Sequence, residues 1–134
     1  MSRENVEIVR ESVAAFNRGD LDDWLEFFDP EIEIDWSASR APFSGTYTGH
    51  DGLRQIWPVL WDAWDEFSPQ IEEVIDHEAE RLITVNLVRA RGKASGIEIA
   101  ARGAVLWTLK RGKISHMKLY QGKDEALEGV GWRE

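Results

Sequence analysis

The apolar positions of this chain change their period three times before the last helix, and the changes mark its elements. Over about residues 3–18, Val6, Val9, Val13 and Phe16 recur at three- and four-residue steps, which predicts an amphipathic helix stopped by Gly19. Asp20 then caps a second, short helix, with Asp23 three positions on and Leu21, Trp24, Leu25 and Phe28 as its apolar face. Pro30 cannot continue that helix. A strict alternation follows over about residues 31–37, with Ile32, Ile34 and Trp36 on one side and Glu31, Glu33 and Asp35 on the other, and predicts a strand. The Ser-, Gly- and Pro-rich stretch from Ser37 to Gly49 reads as a loop. Thr48 caps a third helix over about residues 49–66, which carries Leu53, Ile56, Trp57, Leu60, Trp61, Trp64 and Phe67 at helical spacing. Pro58 inside that pattern predicts a kink.

From Ser68 onward the period is two. Strands are predicted over about residues 70–77, 80–91, 97–110 and 113–121, with Arg111-Gly112 as a tight hairpin, and a last short helix over about 123–130. Helices followed by a meander of strands predict an α+β layer fold, and without repeats or a linker residues 1–134 read as one domain. The 80–91 strand is apolar on both faces: Leu82, Thr84, Asn86 and Val88 alternate with Ile83, Val85 and Leu87. Its outer face needs a cover, and the simplest one is a second copy, which predicts a homodimer through the convex face of the sheet.

Composition narrows the partners. A formal net charge of −9 excludes the basic face that nucleic acid requires. The chain has no cysteine, no apolar run after Met1 that would read as a signal peptide, and no run of membrane-spanning length. A cytoplasmic protein without membrane contact is the expectation. Seven tryptophans are many for 134 residues, and such rings either fill cores or wall apolar pockets.

Three motifs in order resemble one known group. They are Ala14-Ala15-Phe16-Asn17-Arg18-Gly19-Asp20-Leu21-Asp22, Gly49-His50-Asp51-Gly52-Leu53-Arg54, and Leu106-Trp107-Thr108-Leu109-Lys110-Arg111-Gly112-Lys113-Ile114. The pattern resembles the SnoaL-like (polyketide-cyclase-like) and ketosteroid-isomerase-like members of the nuclear-transport-factor-2-like superfamily. The resemblance implies a cystatin-like cone, in which a curved antiparallel (mixed) sheet wraps three N-terminal helices around a pocket, and it implies common dimerisation. It also implies positions for isomerase chemistry: a tyrosine on the first helix, a base aspartate at the end of the first strand and a protonated aspartate on a later long strand. Those positions fall on Ser12, Trp36 and Val105, none of which carries that chemistry. The overlay places Thr84, Asn86, Val88, Gly103, Val105, Trp107, Met117, Leu119 and Gln121 on the concave side.

Candidate residues follow, each beside its structural reading. Asp35 is a general-base candidate at the pocket mouth, although alternation assigns it outward with Glu31 and Glu33. His50 is an acid–base candidate, against a role in the first turn of the third helix. His77 and His116 are weaker, and three dispersed histidines make no metal site. Trp36, Trp57, Trp61 and Trp107 wall an aromatic cavity or fill the core; Val105, Met117 and Gln121 line the same face. Asn86 on an apolar strand face needs a partner, for which Gln121, backbone, water or a ligand are candidates. Arg89, Arg91 and Arg102 read as inter-subunit partners for the many acids. The expected function is to hold a small hydrophobic molecule, with isomerisation, cyclisation or hydration by acid–base chemistry and no cofactor as the catalytic version. A non-catalytic binding or dimerisation module of the same fold is the alternative.

Overall fold

The computed structural model describes residues 2–38, 44–76 and 78–132, so His77 lies outside the described residues. Helix α1 (Ser2–Arg18) and the short α2 (Leu21–Leu25) are followed by strands β1 (Phe28–Asp35) and β2 (Thr46–Thr48) and by helix α3 (Gly49–Ala63). Strands β3 (Trp64–Asp76), β4 (Arg81–Gly92), β5 (Glu98–Lys110) and β6 (Lys113–Tyr120) and helix α4 (Lys123–Val130) complete the chain. The strands form one six-stranded sheet in the order β2-β1-β6-β5-β4-β3, antiparallel throughout except that β1 runs parallel to β6. This is the α+β cone expected from the sequence.

Asp20 caps α2 as expected, accepting a hydrogen bond from the Asp23 amide, but α2 ends at Leu25 and β1 begins at Phe28. Pro30 therefore sits inside β1, where the pairing with β6 shifts register between Phe28 and Glu33. A proline cannot donate to a ladder, and such an irregularity tolerates it. The third helix ends earlier than its apolar spacing predicts: Trp64 is already extended, and Trp64 and Phe67 belong to β3. Arg111 and Gly112 both take positive φ, 54° and 79°, the backbone of a two-residue turn whose twist matches its strands.

The buried stripe of α1 is Asn5, Val9, Ser12, Ala15 and Phe16, whereas Val6 and Val13 are half-buried. The two polar members are satisfied: Asn5 Nδ2 donates to the Ala79 carbonyl at 2.7 Å, and Ser12 Oγ donates to the Val9 carbonyl at 2.7 Å. With α2 and α3, this stripe packs on the concave face of the sheet, around Ile32, Ile34, Leu82, Val105, Trp107 and Met117. A second, smaller core lies on the convex face, where Ala126 and Leu127 of α4 and Trp132 cover Ile83, Ala104, Leu106 and Tyr120. Helix α4 thus covers the outer face of β4 at Ile83, while Val85 and Leu87 of the same face remain half-buried. No described helix is long and apolar enough to cross a membrane.

Candidate functional site

The concave face is sealed at one end and open at the other, and β4 and β5 cross the boundary. At the sealed end Thr84 Oγ1 accepts from Trp107 Nε1 at 2.9 Å, and both residues are buried with Val105 and Met117. Where the C-terminal end of α1 meets β3 the packing is aromatic: Phe16 stands 6.1 Å from Phe67, which pairs with Ala90. Phe16 meets Trp24, Trp57 and Trp61 at ring-centroid distances of 5.3, 5.6 and 5.9 Å, and Trp57 meets Trp24 at 5.4 Å and Trp61 at 5.7 Å. Mutual contacts at these distances are those of packed core rings. Trp57 and Trp61 thus belong to an aromatic cluster with Phe16 and Trp24, and of the candidate wall they form the side closed by other rings.

Beyond Thr84 the register carries the same face outward. Asn86 pairs with Gly103 of β5 and Ile71 of β3, and Val88 pairs with Ala101 and Pro69. Burial falls along β5, from buried Val105 through half-buried Gly103 to exposed Ala101, whereas on β4 Thr84 and Asn86 are buried, Val88 is half-buried and Ala90 is buried again. Trp36 and Leu119, which follow the paired Asp35 and Lys118, lie side by side on the same face, both partly buried against the core. The more open end on the β5 side is apolar, with Val88, Ala101 and Gly103 beyond Asn86, and Leu119 and Trp36 in the adjoining row that carries Val105.

Asn86 is 6% exposed, and its Oδ1 has no hydrogen-bond partner. An amide oxygen taken from water without compensation costs about 1–3 kcal/mol. Gln121, the side chain expected to answer it, is exposed and donates instead to the Ala38 carbonyl. The only other described buried side-chain polar atom without a partner is Trp64 Nε1, at the far end of β3 opposite Gly92.

The acid–base candidates lie elsewhere. Asp35 is paired with Lys118 on β6, on the outer face that also carries Glu33 and His116. Its Oδ1 accepts from Ser37 Oγ at 2.6 Å and from the Ser37 amide at 3.1 Å, and Oδ2 stands 4.0 Å from Lys118 Nζ. The Ser37 hydroxyl holds this carboxyl below the usual carboxylate range, partial burial opposes it, and the Ser37 amide, Lys118 and His116 add to the lowering. A carboxylate so stabilised is a weak base. His50, in the first turn of α3, donates from Nε2 to the Phe28 carbonyl at 2.9 Å and ties the helix start to β1. Asp35 and His50 are therefore not brought together on the concave face. Arg91 and Arg102 have partners within the chain: Arg91 lies 3.5 Å from Glu66 and 3.9 Å from Glu98, and Arg102 forks onto Glu72 at 2.7 and 3.2 Å. Among the described residues no group of three acids or histidines is placed to hold a metal ion.

Residues 9–117 match the family model described as a SnoaL-like domain. The chain belongs to the SnoaL-like family. An uncharacterised protein of Mycobacterium tuberculosis is 26% identical to this SnoaL-like chain over 125 residues, which cover 92% of this chain and 93% of that protein. Among solved structures, TerC co-crystallised with polyporic acid superposes with a TM-score of 0.78 at 19% identity, covering 95% of this chain and 97% of that one. An NTF2-like protein of unknown function from Burkholderia pseudomallei superposes with a TM-score of 0.79 at 22% identity, covering 93% and 95%. These likenesses establish the cone fold for this SnoaL-like chain. Of the three residues that the resemblance aligns with isomerase positions, Ser12 carries a hydroxyl bonded to its own helix, Trp36 an indole and Val105 an alkyl group.

Proposed function

We propose that this SnoaL-like chain holds a small, uncharged, largely apolar molecule at the open end of its concave face, with Asn86 as the polar anchor, and that it acts by binding rather than by turnover. The observation that carries this reading is the buried Asn86 Oδ1 without a hydrogen-bond partner, beside the more exposed apolar part of the concave face. A hydroxyl on the ligand answers an amide in either orientation, because it can both donate and accept. The surrounding Trp36, Val88, Ala101, Gly103 and Leu119 offer no charge to a charged ligand, and desolvating an ion there would be costly. TerC, of the same fold, was co-crystallised with polyporic acid, which supports a small-molecule role for a chain of this fold. Binding is preferred to acid–base chemistry because the candidate base, Asp35, is held ionised on the opposite face.

Titration calorimetry with 2-naphthol, naphthalene and 2-naphthoate tests the reading. The neutral phenol is expected to bind tightest. Asn86→Val should weaken 2-naphthol at least about tenfold and leave naphthalene within about twofold, since only the phenol loses a hydrogen bond. Preference for 2-naphthoate, or a phenol affinity indifferent to Asn86→Val, would overturn it.

A further inference from the structure

Strand β5 carries a glycine that the fold does not require. Most glycines of this chain answer to the fold. Gly19, Gly49 and Gly131, for example, take positive φ, and a Cβ at Gly52 or Gly129 would stand 2.9 or 2.6 Å from a tyrosine side chain. Gly103 lies inside β5 and has no positive φ. A Cβ built on it would meet the Tyr120 carbonyl oxygen at 3.4 Å and Leu119 Cδ1 at 3.9 Å, which are ordinary contacts. An alanine would therefore fit. It would also suit the strand better, because glycine loses more chain freedom on folding and offers no side chain to pack. Nor does a bulge explain it, since β5 pairs with β4 from Glu98 to Thr108 without a register shift.

The position of Gly103 points to a cause. It is directly opposite Asn86. Side chains at opposed positions start about 5 Å apart, so the missing Cβ is missing beside the Asn86 amide. One concave pair further in, Thr84 faces Val105, and beyond it Leu82 faces Trp107. The concave residues of β5 thus shrink from Trp107 through Val105 to Gly103 as the face opens. The smallest stands next to the buried oxygen that has no partner. The other side of Asn86 is irregular as well: the pairing with β3 shifts between Ile71, its partner, and Glu73. Such irregularities recur beside sites because they bend the ladder and re-aim side chains. An unpartnered amide oxygen, a bare backbone and an interrupted ladder coincide at one level of the sheet. A strand glycine without a turn or a packing conflict marks the close approach of another group.

Resting on the reading of Asn86 as the polar anchor, we propose that Gly103 determines the ligand class of this site. Its bare backbone seats the face of a flat, fused-ring hydroxy-aromatic molecule whose hydroxyl meets Asn86, and a side chain at position 103 would restrict the site to a single ring. The seat continues outward over Ala101 and Val88, which face each other as the next concave pair and give a second ring room. A single ring can shift off position 103 toward Val88 and keep its hydrogen bond. A fused pair, held at Asn86 by its hydroxyl, cannot move both rings clear.

Calorimetry of Gly103→Ala and Gly103→Val with 2-naphthol and phenol, together with thermal melts, tests the proposal. The unaltered protein should prefer 2-naphthol. Gly103→Ala should lower that preference at least about tenfold, mainly by weakening 2-naphthol, with a Tm equal to or above that of the unaltered protein. Gly103→Val should abolish 2-naphthol binding. An equal loss for both ligands, or a Tm lowered by the alanine, would overturn the proposal, because either makes Gly103 a residue of the fold. So would an unchanged 2-naphthol affinity in both variants; if Asn86→Val still weakened 2-naphthol, the anchor would stand and only the seat would fall. An unaltered protein that binds no 2-naphthol would overturn anchor and seat together.

Discussion

Asn86 and Asp35 are both polar residues on strands, and the face each occupies decides what it can do. Asn86 is buried on the concave side without a partner, so a ligand that answers it gains what the empty protein forgoes. Asp35 is on the outer side with three stabilising contacts, two from Ser37 and one from Lys118, so its charge serves the fold. The sign of its pH dependence follows. Its carboxyl is held below the ordinary value, so near the unfolded value, about pH 4, the unfolded chain binds more protons than the native one. The stabilisation is therefore complete above that pH and is lost as pH falls through the lowered native value. Asp35→Asn should cost about 1 kcal/mol at neutral pH, allowing for partial exposure, and the gap to the unaltered protein should close as pH falls below about 4. Urea melts across that range check it; a gap independent of pH would contradict the assignment.

Helix α4 is the element whose role the sequence disguised. Its span, about 123–130, was legible, but not its seat, because an eight-residue helix with few apolar residues does not announce which surface it covers. Gly129 shows how close that seat is: a Cβ there would stand 2.6 Å from Tyr120 Oη and 2.8 Å from Tyr120 Cε1. Gly129→Ala should push α4 off the convex face and destabilise the chain by about 1–3 kcal/mol, read as a lowered Tm with unchanged helix content elsewhere. The boundary between α3 and β3 was misplaced for another reason. Trp57, Trp61, Trp64 and Phe67 keep helical spacing across it, and the helix passes into the strand with no intervening loop. β2 was not legible, since a three-residue strand inside a polar loop has no period to detect.

For the whole molecule, the family resemblance oriented β4, β5 and β6 so that Val105, Trp107, Met117 and Leu119 face the concave core, as they do, whereas Gln121 lies beyond β6 and is exposed. What alternation could not resolve is which concave residues are sealed. Thr84 and Asn86 share a face and differ in fate, since Trp107 reaches one and nothing reaches the other. The same limit applied to Trp57 and Trp61, whose neighbours Phe16 and Trp24 come from other helices. Cover on the convex face, too, depended on a distant helix. The central claim is that the open end of the concave face binds a neutral molecule at Asn86. Its most direct test is a nitrogen-edited NMR titration with 2-naphthol, following the side-chain amide of Asn86. The account predicts saturable shifts of that amide and of the Ala101 and Gly103 backbone amides, with His50 and the Asp35 backbone amide unmoved. Shifts centred on Asp35 and His50, or an Asn86 amide that stays still at saturating 2-naphthol, would contradict it.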